Sequence, residues 1–149
     1  MPDTKVTFTL NRLVGALNKA ADGLLREHYG LTYSQFLFLV TLNNAGSISS
    51  GALAHTLGVS AAAVSKRTHW FVQRGLVQAT PSPTDGRALT LSLTDKGSKF
   101  ALDTAVFLEE QFRGLFNGIA SVNLDQLNTT LLEIEAHLRH ADAAKKVAA

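Results

Sequence analysis

The sequence contains no cysteine, which excludes disulfides, thiolate metal sites and thiol-based redox sensing. Charged residues make up only 17% of the chain, so where they fall carries more information than how many there are. No apolar run approaches the roughly 18 residues that a membrane span needs. The N-terminal stretch MPDTKVTFTLNRL lacks the charged-then-apolar layout of a secretory signal. The expected compartment is therefore the cytoplasm, with no membrane partner. No nucleophile–base set, phosphate loop or facing pair of acids stands out, so an enzyme is not expected, nor is a cofactor. The histidines at 28, 55, 69, 137 and 140 lack the spacing and the neighbouring carboxylates of a metal site. His137 and His140 come nearest, and no metal is expected.

What charge there is sits unevenly. Residues 51–100 carry Lys66, Arg67, Arg74, Arg87, Lys96 and Lys99 against Asp85 and Asp95 alone. Residues 101–149 carry seven acids against four cations. A basic middle beside an acidic end suits a polyanionic partner for the middle and a different task for the end.

The length, 149 residues, fits one compact domain with helices to spare for dimerisation. Leu10, Leu13, Val14, Leu17, Leu24 and Leu25 recur at three- and four-residue steps, so residues 7–29 read as a helix stopped by Gly30. Thr32 and Gln35 form a capping-box pattern for a second helix, apolar almost all round and broken by Asn43-Asn44-Ala45-Gly46. Ser49 and Ser50 precede a short helix, GALAHTLG. A turn, Gly58-Val59-Ser60, follows, and Ser60 is the expected N-cap of the next helix. Short helix, glycine turn, short helix is a helix-turn-helix. Leu76 to Thr80 reads as a strand, PSPTDGR as a tip, and ALTLSLT as a returning strand with Leu89, Leu91 and Leu93 on one face. The expected fold is thus mainly α with a small β-hairpin wing. A long helix from about 95 to 117, capped by Thr94-Asp95, and a last helix starting at Asn123 complete the chain, with a frayed tail after residue 140. The expected division is residues 1–30 as an N-terminal dimerisation helix, 31–97 as the winged helix-turn-helix, and 98–149 as C-terminal dimerisation helices.

The segment LGVSAAAVSKRTHWFVQRGLV, residues 57–77, carries the chemistry. On a helical wheel Ala61, Val64, Thr68, Phe71 and Val72 form an inward arc, while Ala62, Ser65, Lys66, His69 and Gln73 form the opposite one. No acid occurs from Leu57 to Thr84, as a surface meeting phosphate requires. A bare first turn at Ala61, Ala62 and Ala63 lets a helix backbone approach base edges in a groove about 12 Å wide, with Ala62 placed to touch a thymine methyl. Ser65 and Lys66 follow one turn on, and the free N–H groups at the helix start favour an anion. Arg67 lies at the edge of the inward arc, so DNA contact and packing both remain open for it. Trp70 is expected to pack against the wing or a neighbouring helix. In the wing, Arg87 suits the minor groove and Asp85 is expected to hold it in one orientation.

Residues 50–97 resemble the MarR (multiple antibiotic resistance regulator) family of bacterial transcription factors, through LAHTLGVSAAAVSK, the following RGLV, the D-G-R at 85–87 and LSLTDKG. The resemblance implies a homodimer with interlocked terminal helices and two winged-helix lobes on a pseudo-palindromic double-stranded operator. Matched position by position, it assigns Ser60, Ala62, Ser65, Lys66 and His69 to the groove-facing side, and Arg87 and Asp85 to the wing. Ala61, Arg67 and Arg74 complete the candidate DNA-binding set. The resemblance further implies a repressor released by a small aromatic or phenolic effector. Phe8, Arg12, His28, Tyr29, Tyr33 and Phe36 are the residues available to such a site. The wing carries Arg87 alone where the family often has several arginines. That keeps a second reading in view, a winged-helix protein-interaction module without specific DNA binding.

Overall fold

A computed structural model describes residues 5–148 of the chain; the extreme ends of the expected first and last segments, residues 1–4 and 149, lie outside them. In chain order the elements are α1 (Val6–Tyr29), α2 (Tyr33–Ala45), β1 (Ser47–Ser49), α3 (Ser50–Leu57), α4 (Ala61–Gln73), β2 (Val77–Pro81), β3 (Leu89–Leu93), α5 (Asp95–Phe116) and α6 (Leu124–Ala148). The packing divides at α5: the chain up to Leu108 is one compact unit, and the chain from Glu109 onward is another.

The helix ends follow the side chains that satisfy their free backbone groups. Gly30 closes α1 in the left-handed region, φ 65°, where its N–H donates to the Arg26 carbonyl and that of Leu31 reaches Leu25. Thr32 and Gln35 exchange side-chain-to-backbone hydrogen bonds at 3.1 and 2.9 Å, the reciprocal box that starts α2. Ser49 caps α3, and Ser60 caps α4 by accepting from the Ala63 N–H at 3.1 Å. Asn43, Asn44 and Ala45 stay helical, and the expected break falls at Gly46 alone, φ 72°.

The core of the first unit gathers α2, α3, α4 and β3. Phe38 and Phe71 stack at 5.2 Å between ring centres, with Leu39, Leu42, Leu53, Val64 and Leu91 sealed around them. Phe71 and Val64 are the inward residues of α4, and burying such side chains stabilises the fold by about 2 kcal/mol each. The expected two-stranded hairpin is part of a three-stranded antiparallel sheet of order β1-β3-β2, in which Ile48 pairs with Leu91 and Ala79 pairs with Leu91 from the other side. The extra strand is only Ser-Ile-Ser, too short to show an alternating pattern of its own. It forms because β3 offers a free edge beside the α2–α3 turn.

Gly97 and Thr94 join the wing to α5. Thr94 Oγ1 donates to the Gly75 carbonyl at 2.6 Å and accepts the Gly97 N–H at 3.0 Å. Gly97, Ala101, Thr104 and Leu108 then form the buried stripe of α5 within this unit. Tyr29 of α1 meets Phe100 and Phe107 edge-on at 5.9 and 5.2 Å.

In the second unit, Asn123 Oδ1 accepts the Gln126 N–H and starts α6, while Arg113 pairs with Glu109 and Asp125. The tail expected to fray is helical through Ala148, as the strong helix propensity of alanine and lysine favours. No described residue of α6 is buried within the chain.

A methyl group on Gly97 would overlap the backbone carbonyl of Leu76, which cannot swing aside as a side chain would. Gly97→Ala is therefore expected to destabilise the fold by about 1–3 kcal/mol, read as a lowered urea midpoint with an unchanged slope.

Candidate nucleic-acid interface

The inward residues Val64, Thr68 and Phe71 fix the rotation of α4 about its own axis. The opposite ridge is left outside: Ser60, Ala61, Ala62, Ser65, Lys66, His69 and Gln73 are all exposed. The slim first turn is thus uncovered by the chain itself. Two of the residues expected on the inward arc are not buried. Ala61 is exposed and Val72 is 42% exposed, because the space beyond them is a cleft rather than core.

That cleft, of about 510 Å³, runs between α4 and the wing. Ser65, His69 and Val72 line it from α4, Ser50 and Gly51 from α3, and Arg87 and Leu89 from the wing. It brings the expected wing arginine to the same opening as the expected groove residues. Among the described residues no carboxylate lines it.

Asp85 does its work differently from expectation. Its Oδ1 accepts the backbone N–H of Arg87 at 3.1 Å, while the Ala88 N–H donates to the Asp85 carbonyl. It shapes the turn of the tip. Among the described residues no ion pair holds the Arg87 guanidinium, which stays available to a ligand.

A second cleft, of about 430 Å³, lies on the other flank of α4, toward the end of α1 and the start of α2. Lys66, Arg67, Trp70, Arg26 and Asp22 are among its walls. Arg67 is half-buried there, apart from Ser65 and His69, and packs into no core position. Arg74, expected at the DNA, lies over the Trp70 ring at 3.4 Å and donates to the Trp70 carbonyl. Trp70 accordingly packs against Arg74 and, edge-on, Phe71, and lines the cleft toward the neighbouring helices α1 and α2 rather than the one toward the wing. Asp22 accepts from the Tyr33 N–H at 2.8 Å and from Arg26 Nε at 2.6 Å. The backbone N–H first, then Arg26, hold its carboxyl below the ordinary aspartate range.

The residues expected near an effector do not meet within one chain. Arg12 lies over the Phe8 ring at 5.9 Å, while His28 packs on Phe107 at 4.8 Å. Sixteen residues of continuous helix separate Arg12 from His28, a rise of about 24 Å. Tyr33 stacks on Phe36, which is buried in the core.

Sequence reasoning missed Ser50, Gly51 and the α1–α2 wall. One signal pointed to them: the acid-free stretch runs well beyond α4, from His28 to Thr84, and so includes every α2, α3, α4 and β2 residue of both clefts. Among the described residues the single carboxylate in either wall, Asp22, comes from α1.

Residues 29–88, which hold α2 to the wing tip, match the model of the MarR family. Over those residues the chain is similar to the MarR family. It is 25% identical over 120 residues to the uncharacterized HTH-type transcriptional regulator YhbI of Bacillus subtilis, 80% of this chain and 78% of that one. It is 30% identical over 92 residues to the multiple antibiotic resistance protein MarR of Escherichia coli, 60% of this chain and 64% of that one. Two solved structures share the fold. An E. coli MarR mutant complexed with operator DNA superposes with TM-score 0.65 at 22% identity, over 90% of this chain and 99% of that one. NadR in complex with 4-hydroxyphenylacetate superposes with TM-score 0.72 at 17% identity, over 93% and 94%. Of these relatives, YhbI is named as a transcriptional regulator.

Asp22 ties α1 to α2 more strongly when ionised, so that part of its contribution to folding is present above the unfolded aspartate pKa and fades as pH falls through the lowered folded value. Asp22→Ala is expected to lower the thermal midpoint at neutral pH. The gap to the parent protein should narrow on acidification below the ordinary carboxylate range, as melting curves across a pH series would record.

Proposed function

We propose that the chain is a MarR-family transcriptional regulator that binds a pseudo-palindromic operator as a homodimer and represses transcription until a small aromatic or phenolic effector releases it. The observation that carries the DNA reading is the uncovered, carboxylate-free ridge of α4 beside Arg87. Ala61 and Ala62 give the ridge a low profile at its leading end, Ser65 and His69 supply hydrogen-bonding groups one and two turns on, and Arg87 reaches the backbone or minor groove from the wing. The E. coli MarR complex with operator DNA and the naming of IacR of Pseudomonas putida as a transcriptional repressor support both halves of this reading.

Dimerisation is supported by apolar surface that each unit leaves bare. In the first unit Val6, Phe8, Leu13, Val14 and Leu102 stand out; in the second Leu115, Leu131, Leu132, Ile134 and Leu138 do. A monomer seldom leaves so many large apolar side chains bare on its helices. A second copy would also supply the missing partners for Phe8 and Arg12, which one chain leaves distant from His28 and Tyr33. NadR bound to 4-hydroxyphenylacetate supports an aromatic effector.

Fluorescence anisotropy with duplex from upstream of the chain's own gene, against random duplex, tests the reading. Tight, salt-sensitive preference for the upstream duplex is expected, with a dimer by light scattering. Arg87→Ala should weaken binding to all sequences, and Ala62→Leu should abolish specific binding without lowering the melting temperature. Equal affinity for both duplexes would instead favour a protein-interaction module.

A further inference from the structure

The second cleft has no part in the reading above, yet it holds the densest group of cations beside α4. Taking Ser65 as zero and about 100° per residue, His69, Ala62 and Gln73 lie at roughly 40°, 60° and 80°. Lys66 then lies at about 100°, Trp70 at about 140° and Arg67 at about 200° on the same wheel. The ridge that faces outward is therefore flanked by two clefts, the wing-side one with Arg87 and the α1–α2 side with Lys66 and Arg67.

A helix with its side chains is about 10–12 Å across and the major groove is about 12 Å wide, so an inserted helix leaves one sugar–phosphate backbone along each flank. One backbone meets the wing side. The other must run past the cleft between α4 and the α1–α2 junction. Its charge suits that neighbour. Among the described residues Lys66 and Arg67 take part in no ion pair. The one acid in the wall, Asp22, is already engaged on both oxygens, by the Tyr33 N–H and by Arg26. That pairing also pins Arg26 at the rim. The Ser34 hydroxyl completes a wall of donors.

We propose that this cleft seats a phosphodiester of the DNA strand opposite the wing, with Arg67 as its principal contact and Lys66 beside it. The proposal rests on the DNA-binding reading and adds to it a second, sequence-independent grip. Arg67, half-buried and planar, would meet the phosphate oxygens in a paired fashion that a lysine reproduces only as a point charge.

The test is the salt dependence of binding for the full chain, measured by anisotropy on both the upstream and a random duplex. Arg67→Gln is expected to lower the slope of log affinity against log salt by about 0.9 for each phosphate no longer neutralised, hence about 2 for a dimer, with equal proportional weakening on both duplexes. Lys66→Gln, at an exposed position, gives a second variant with a smaller loss, and Arg67→Lys should retain most of the slope. Methylphosphonate placed at single phosphates should weaken the parent protein on the strand away from the wing and leave Arg67→Gln indifferent there. An Arg67→Gln protein with an unaltered melting curve and the parent's slope would overturn the proposal. Failure of the parent to distinguish the two duplexes would overturn the operator reading instead, while the slope on random duplex still decides the cleft. No binding to either duplex would overturn both.

Discussion

The site depends on one packing constraint. Phe71 of α4 stacks on Phe38 of α2, and Thr68 and Val64 continue that buried line one and two turns back. A helix pinned along one line has its rotation set, and the opposite ridge is then presented whether or not a ligand is there. Without that anchor the alanines, serine and histidine of the ridge would be a composition and not a surface. The interior is close-packed, so a change of rotation by even one residue's worth would put Trp70 or Val72 where Phe71 meets Phe38.

The sheet applies the same logic to the wing. β3 is held on both edges, by β1 and β2, with Leu91 fully buried at its centre. Thr94 and Gly97 lock its far end to the Gly75–Leu76 backbone. The tip projects from this support with its turn shaped by Asp85, and Arg87 is thereby brought to the same cleft as Ser65 and His69. A thin loop carries the arginine, but a rigid sheet decides where it points.

Charge is arranged by omission as much as by addition. From His28 to Thr84 there is no carboxylate, so both flanks of α4 are basic without needing many basic residues. The exception, Asp22, is taken up by a backbone N–H and by Arg26 at the junction of α1 and α2. One acid therefore braces the scaffold while leaving Lys66 and Arg67 uncompensated.

Much of this was legible in the residues themselves. Caps at Thr32, Ser49, Ser60 and Asn123, stops at Gly30 and Gly58, and the period of the apolar positions are local signals, because each concerns a backbone group and a side chain only a few residues away. The outward ridge of α4 was legible too, since helical period alone sets which residues lie opposite Val64 and Phe71. Other features depend on what lies across space. The Ser-Ile-Ser strand exists because β3 offered an edge to it, Val72 and Ala61 stay exposed because a cleft and not core adjoins them, and Arg74 is drawn to the ring of Trp70. Arg67 is the clearest case. Its position on the wheel, between inward and outward arcs, allowed two roles, and only the approach of the α1–α2 junction turned that side of the helix into a cleft lined with cations. The sequence by itself determined the helices, their ends and the face α4 would show; the tertiary structure decided what stands on either side of that face, because only packing brings distant segments against one another.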